Sequence, residues 1–457
     1  MFDKAQARVQ QQNEIGPSIE SLFGVLQGGI LSPKLFNEYL YDLHTCLNKK
    51  DGIEIEGTHF THLLYADDIV LIADSPKSLQ NSINNLHNFC AKWHLIVNTA
   101  KTKVMTVGRN SFDYFTYNNE VIENVGSYQY LGSIIDSHKG IHHKMIDHVV
   151  RQAQKALFAL RAKLKSNFGC LPPQLALKMF DSYILPIIEY NNVLWAKKMP
   201  IPEIEKIQVQ YLKNMLNVRK QTPTLAVYAE TGRFPLYMRQ KIAIIKYWNK
   251  LEEQPEYDIL NKCLQIQKRL TAQDSWYNKV KHIISEASIP NWNSIEPNRL
   301  VSQIKIALYD KEKSRIFDEI NDSCKQSKLR TYKIFKTTFC LEPYLTFNLQ
   351  KKTYTNIARF RVSSHNLRIE TGRHESPKLP AADRVCNKCD SNEVEDELHC
   401  LLICKYNEVP RLHLLNEIIN FFPNLHSLNH TQQFQAIMSS KEFDVIKAVG
   451  SFLNAVL

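Results

Sequence analysis

Residues Leu63 to Ala73 read LLYADDIVLIA, two short apolar runs meeting at a pair of adjacent carboxylates. The runs predict strands over His62 to Tyr65 and Ile69 to Ala73, joined across Ala66, Asp67 and Asp68, a hairpin with acids at its tip. Like charges held together repel, and apolar flanks deny them solvent, so something positive belongs at that tip. Magnesium suits it, because that ion prefers one or two protein carboxylates and leaves its other positions to water or phosphate. The plain alternative is an exposed Asp-Asp turn, and the flanks weigh against it.

Working outward, Ser75 and Pro76 stand in the cap and first-turn positions of a helix whose stripe is Leu79, Ile83, Leu86, Cys90 and Trp93. Before the hairpin, Gly24 to Phe36 reads GVLQGGILSPKLF. Gly28 and Gly29 let another molecule approach the backbone, Gln27 can hydrogen-bond without charge, and the same residues serve as a tight turn before a helix start at Ser32-Pro33. After about Ile141 the pattern is helical. Ile146, Val150, Ala153, Leu157, Leu160 and Leu164 mark one helix, with Lys144, Arg151, Lys155, Arg161, Lys163 and Lys165 around the rest. A second helix runs from Pro172-Pro173 to about Trp195 with a break at Pro186, and a third carries Ile204, Ile207, Tyr211, Leu212 and Met215.

The chain has 457 residues, 44% hydrophobic, and a formal net charge of +11. That length supports two or three domains, and the surplus of cations favours an anionic partner. The start, MFDKAQARVQQQNE, has no signal-peptide pattern, and no apolar run approaches the ~20 residues of a membrane span. The expectation is a soluble intracellular protein, cytoplasmic or nuclear, without a membrane partner. Of ten cysteines, Cys46, Cys90, Cys170, Cys263, Cys324 and Cys340 are isolated and expected to be buried thiols.

The other four cluster. Cys386-x2-Cys389-x9-His399-x4-Cys404 offers three thiolates and an imidazole, a set suited to structural Zn2+ with no position open for catalysis. Cys400 could replace His399. The loop DSNEVEDEL, Asp390 to Leu398, is acidic and would repel phosphate, which shifts attention to Arg359, Arg361, Arg368 and Arg373 as nucleic-acid contacts, with a solvated basic face as the alternative.

Tyr65-Ala66-Asp67-Asp68 in its apolar setting resembles the metal-binding hairpin of reverse transcriptases. Further blocks follow that family's order. Gly24 to Phe36 resembles the block whose Gln-Gly turn lies beside the incoming nucleotide and template. Lys101-Thr102-Lys103 after Trp93 and Asn98 resembles the palm's lysine motif, and Tyr130-Leu131-Gly132 resembles the primer grip. ILPIIEYNNVLWA, IEKIQVQYLKNMLNV, AETGRFPL and RFRVSSHNLRIETGRHE are similar to the non-LTR (LINE-type) retrotransposon class, jockey-like elements in particular, and the C-terminal zinc pattern is similar too. The resemblance implies an α+β fold: a partial palm of antiparallel sheet and helices over 1–138, a mainly helical thumb-like or connector region over 139–330, and a C-terminal region over 331–457 with a zinc-binding segment at 384–406.

The function implied is RNA-directed DNA polymerase, a two-metal nucleotidyl transferase. Asp67 and Asp68 would hold Mg2+. Gln27, Gly28, Tyr65, Lys101 and Lys103 would meet nucleotide or template, and either lysine could reach the triphosphate or protonate pyrophosphate. Tyr130, Leu131 and Gly132 would grip the primer. The partners implied are an RNA template, a DNA primer or target, dNTP, and a separate fingers or endonuclease region. In the family a further aspartate comes from a strand well upstream of the Gln-Gly block. Asp3 is only 24 positions before Gln27, and MFDKAQARV resembles the stretch just before that block, so Asp3 is rejected as that partner. The expectation is therefore a chain inactive by itself, with a non-catalytic nucleic-acid-binding protein derived from a mobile element as the alternative.

Overall fold

A computed structural model describes residues 5–11, 14–21, 24–25, 28–108, 113–138, 140–167, 171–196, 199–270, 275–322, 324 and 328–457. The chain divides into two compact units, residues 1–140 with 255–266, and residues 141–254 with 267–457. Among the described residues no helix is long and apolar enough to cross a membrane.

In the first unit, His62–Tyr65 pairs antiparallel with Asp68–Leu71, in register from His62↔Leu71 to Tyr65↔Asp68. A further bond from the Ile72 N–H to the Thr61 carbonyl, 2.8 Å, extends the ladder. Ile69 and Leu71 share one face of the ribbon, as alternate strand residues must. They pack on a cluster of Leu40, Leu43, Leu47, Leu86, Phe89 and Cys90. The helix Pro76–Lys92 supplies part of that cluster, and Ser75 caps it by accepting from the Ser78 N–H at 3.2 Å. Its Ile83 turns to a second cluster with Val104, Phe115, Tyr117 and Ile122, which Leu71 also touches. Phe89, outside the stripe read from the sequence, is buried as well. Full burial of one such side chain is worth about 2 kcal/mol, so these few residues anchor the ribbon to the helix.

The strands form separate two- and three-stranded sheets rather than one continuous antiparallel sheet. Lys103–Val104 even runs parallel to its partner, Glu123–Asn124. Among the described residues the strands are at most five residues long, and only the hairpin of Phe115–Tyr117 and Glu120–Asn124 takes a third strand. Ser127–Tyr130 pairs with Ser133–Asp136 across Leu131 and Gly132, at φ 45° and 74°. Two successive left-handed residues give a turn whose twist matches that of the strands it joins.

The second unit is helical. Helix His142–Asn167 buries Met145, Val149, Ala153, Leu157 and Leu160. The expected stripe is thus rotated at its start: Ile146 and Val150 are half-buried, because Met145 and Val149 lie in line with Ala153 at i, i+4, i+8. The side chains of Lys163, Leu164 and Lys165, and all of Cys170, lie outside the described residues. The next helix is interrupted as Pro186 requires. Pro173–Met179 passes into a wider π turn over Phe180–Ile184, where the Leu185 N–H reaches back to the Phe180 carbonyl, and helix resumes over Leu185–Glu189. Helix Pro202–Met215 buries Ile204, Ile207, Tyr211 and Leu212. Its Glu205 accepts the backbone N–H groups of Leu236 and Tyr237 at 3.0 and 2.7 Å, and so caps helix Leu236–Glu252 from a distance.

Helices Lys351–Arg361 and Phe443–Val456 pack together where Gly450 permits close approach: a Cβ there would lie 2.3 Å from Thr353 Cγ2. One expectation about cysteines is corrected. Cys46, Cys263 and Cys324 are exposed and Cys340 is half-buried, leaving Cys90 as the buried one among the described isolated thiols. Apolar neighbours in sequence did not mean an inward-facing position.

Candidate functional site

The flanks do not shield the acidic hairpin as expected: Leu63 and Leu64 are themselves exposed, and the tip faces solvent. Tyr65 is 63% exposed, and Ala66, Asp67 and Asp68 are exposed with it. Ala66 has φ 51°, a left-handed conformation that costs an alanine about 1 kcal/mol. Strain of this kind persists where the surroundings over-determine the backbone, often at ligand sites. Tyr130 belongs to the same neighbourhood. Burial pushes its phenol up from the ordinary value, and the nearby Asp68 carboxylate adds to the shift. Asp68 therefore lies within electrostatic range of Tyr130, although 62 positions separate them. Among the described residues no third His, Cys or carboxylate joins Asp67 and Asp68 in a metal-sized group. Asp3 lies outside the described residues.

The other palm candidates are dispersed. Gln27 also lies outside the described residues. Gly28 has φ 82°, and the Gly29 carbonyl accepts from the Ser32 N–H at 3.2 Å as helix Ser32–Tyr39 begins, so the glycines make the turn before that helix. Lys103 is engaged, with its Nζ 2.7 Å from Glu123 Oε2. Lys101 stands in a turn in which its backbone N–H donates to Asn98 Oδ1 at 3.1 Å.

In the second unit, the C-terminal cluster converges. Ligand atoms of Cys386, Cys389, His399 and Cys404 all lie within 4.8 Å of one another. The Cys386 and Cys404 sulfurs are 3.9 Å apart, and the Cys389 sulfur is 3.5 Å from His399 Nε2. A tetrahedral zinc centre with ordinary Zn–S and Zn–N lengths has edges of about 3.8 and about 3.6 Å. The residues therefore fit a closed four-ligand site. His399 Nδ1 lies 3.1 Å from Glu393 Oε2. That contact favours the proton on Nδ1 and leaves the Nε2 lone pair facing the sulfurs, as metal-ligating histidines require. The Ser391 hydroxyl brings the Cys389 thiol down to about 6, while burial pushes Cys386 up to about 12.

Backbone geometry makes the cluster. Cys386 donates its N–H to Glu393 O at 2.8 Å, and the Glu395 N–H returns to Arg384 O at 3.0 Å. Asp396 then receives the His399 N–H at 2.8 Å, and a π turn over His399–Ile403 delivers Cys404. Cys400, one step along that turn, faces elsewhere: its sulfur lies 3.5 Å from Asn407 Nδ2.

The acidic loop is not a block of solvated charge. Glu395 and Glu397 are buried. Glu397 takes Arg330 at 2.7 Å, His365 at 2.8 Å and the Ser363 hydroxyl at 2.7 Å. Glu395 accepts the Arg368 N–H at 2.7 Å and pairs with Lys388 at 3.2 Å. Of the four arginines expected to contact nucleic acid, Arg361 is 5% exposed and bidentate on Glu230, at 2.9 and 3.0 Å. Arg368 pairs with Glu375 at 3.2 Å and Arg373 with Glu370 at 3.1 Å. Arg359 borders the cleft beside Asn217 and Asn366, whereas Arg361 lines a separate small cavity beside Tyr344 and Met438. AETGRFPL also has structural work: Glu230 is the buried acceptor for Arg361, and Arg233 grips Asp181 at 2.6 and 2.7 Å. Gly232, at φ 61°, lies so close to the Leu341 N–H that a Cβ would stand 2.5 Å from it. Sequence reading missed Arg219 and Lys328, two further cations that border clefts of this unit, because a single cation in a loop carries no periodic signal.

Residues 8–135 match the family model described as reverse transcriptase (RNA-dependent DNA polymerase). The matched stretch holds the acidic hairpin, the Gln-Gly block and the Tyr130-Leu131-Gly132 turn. The chain is also similar to a transposon-derived protein of Caenorhabditis elegans, 27% identical over 168 residues, which is 36% of this chain and 59% of that protein. The chain thus spans less than two thirds of the length of this curated relative. The similarity to reverse transcriptases thus lies in residues 8–135.

Proposed function

We propose that this chain is part of an RNA-directed DNA polymerase of a non-LTR retrotransposon, with Asp67 the main magnesium ligand and Asp68 the lesser one. The observation that carries the proposal is the hairpin itself. Two adjacent carboxylates sit exposed on a strained turn, with Tyr130 in electrostatic range of Asp68, within the residues that match the reverse transcriptase family. Magnesium bound there would polarise phosphate oxygens and bring the attacking hydroxyl to ionise. The chain's own residues would position the reactants: Gly28 and Tyr65 beside nucleotide and template, Lys101 near the phosphates, and Tyr130 with its turn beneath the primer end. One zinc ion held by Cys386, Cys389, His399 and Cys404 would be structural.

The test is primer extension with Mg2+, supplying an upstream fingers region in trans. Extension should require that region and should fall by at least a hundredfold for Asp67→Asn. Unchanged extension by Asp67→Asn would overturn the assignment. Robust synthesis by the chain alone would overturn its dependence on a second region.

A further inference from the structure

The second unit contains a cation-lined groove that neither the acidic hairpin nor the cysteine cluster uses. One cleft, of about 270 Å³, is bordered by Asn217, Arg219, Asn356, Arg359, Ser364 and Asn366 among others. A second, of about 300 Å³, is bordered by Arg219, Gln221, Lys328, Thr371 and His374. Arg219 lines both, so the two adjoin. No Asp or Glu side chain lines either one.

Among the described residues, Arg219, Lys328 and Arg359 have no carboxylate partner, unlike Arg361, Arg368 and Arg373 nearby. Their hydrogen bonds instead fix the groove. Arg359 Nε donates to the Asn217 carbonyl at 2.7 Å, the Arg219 N–H donates to Ser364 Oγ at 2.8 Å, and the Arg219 guanidinium reaches Asn366 Oδ1. Lys213 holds the adjacent loop by donating to the Lys220 carbonyl at 2.8 Å. Burial lowers the Lys213 ammonium from its usual value, and the charge of Lys328 adds to that. The wall at Ser363 to Asn366 is held from behind by Glu397, which accepts from both Ser363 and His365. Rigid guanidinium forks with unused N–H groups, next to neutral amides and the apolar Val218 and Leu457, with no acidic side chain in the lining, match phosphodiester oxygens bonded at two points.

We infer that this groove binds the sugar-phosphate backbone of a single strand of nucleic acid, with Arg219, Arg359 and Lys328 on successive phosphates and the asparagine amides on sugar or base edges. The inference rests on the nucleic-acid reading above and assigns it a surface. Each cleft is of nucleotide size, which suits one strand rather than a duplex. No aromatic residue other than His365 and His374 lines the groove, so contact is with the backbone and independent of sequence.

The experiment measures binding of the full chain to fluorescein-labelled oligo(U) and oligo(dT), to a duplex, and to inorganic phosphate as competitor, by anisotropy over a range of salt. Arg219→Gln/Arg359→Gln is compared with the control Lys246→Gln/Lys250→Gln, which removes the same charge from an exposed helix face. The groove variant should bind both single strands at least tenfold more weakly and lower the salt slope by about 1.4, the release expected for two phosphates of a single strand. The control should change affinity less than twofold. Lys328→Gln, whose side chain makes no hydrogen bond or ion pair among the described residues, should lose about threefold without disturbing the fold, and guards against misfolding of the double variant. Equal losses in groove and control variants, or loss confined to duplex, would overturn the groove while leaving the polymerase reading intact. Effective competition by free phosphate at micromolar concentration would mark a small-anion site instead. No binding of any nucleic acid by wild type would overturn both.

Discussion

The two units treat their carboxylates in opposite ways. At the hairpin tip of the first, Asp67 and Asp68 stand exposed on a strained turn. In the second, Glu230 is fully buried and accepts four bonds: two from Arg361, one from Tyr344 at 2.7 Å and one from Tyr332 at 3.0 Å. A buried carboxylate survives only when its charge is matched and its lone pairs are filled. An exposed pair has no such obligation and remains available to a cation from solution. The contrast separates charge that builds the fold from charge that is offered outward. It applies to the arginines too: Arg361 belongs to the interior, Arg219 and Arg359 to a groove.

The largest effect expected from breaking this contrast concerns the cysteine cluster, where thiols serve as interior charge only with a cation among them. Purified chain should contain one zinc per molecule, and Cys389→Ser or a strong chelator should remove it and unfold residues 384–406, since metal supplies about 10 kcal/mol or more in small structural sites. Metal analysis with hydrogen exchange of that segment checks this. His399→Ala should lose zinc and Cys400→Ser should retain it; the reverse pattern would exclude the ligand set.

Next in size, Arg361→Met leaves Glu230 buried beside Lys336 and Glu342 without its main partner. Urea unfolding should show a loss of about 3–5 kcal/mol in the second unit. The first unit supplies the counterpart: Asp67→Asn should leave stability within about 0.5 kcal/mol of wild type, while extension in the complemented assay should fall as proposed above. A large stability loss from Asp67→Asn would show that the hairpin acids are structural after all.

A smaller effect is expected with pH. Burial alone would raise the Glu230 carboxyl, but Arg361 and Lys336 outweigh it and hold its pKa below the ordinary 4.5. A depressed carboxylate contributes stability above its unfolded pKa and loses it as pH falls below. The stability difference between wild type and Glu230→Gln should therefore be largest near neutrality and shrink below about pH 4.5. Denaturant titrations at stepped pH measure it, and a difference that widens with acid would contradict a depressed Glu230 carboxyl.

Much of the site was legible because its signals are local. The short apolar runs on either side of Asp67 and Asp68 specified the ribbon, Ser75-Pro76 specified the helix start, and the spacing of Cys386, Cys389, His399 and Cys404 brought four ligands within reach of one another. Less was legible where neighbours in sequence are chemically alike. Met145 and Ile146 are equally apolar, and only packing chose Met145 and Val149 for the core. Cys400 and His399 both have the chemistry of a zinc ligand, and the π turn together with Asn407 separates them.

The sequence by itself determined the acidic hairpin, the helix start at Ser75-Pro76 and the ligand spacing, because these depend on forces acting over a few residues: the strand preference of short apolar runs, orphan N–H groups at a helix start, and the reach of a short loop. Only the tertiary structure decided which charges meet. Arg361 finds Glu230 across 131 positions, and Arg359 meets the Asn217 carbonyl across 142. An arginine reads the same in sequence whether it will be buried or exposed. Its role depends on whether long-range packing brings a carboxylate to it, since burial without a partner costs more than the chain can recover.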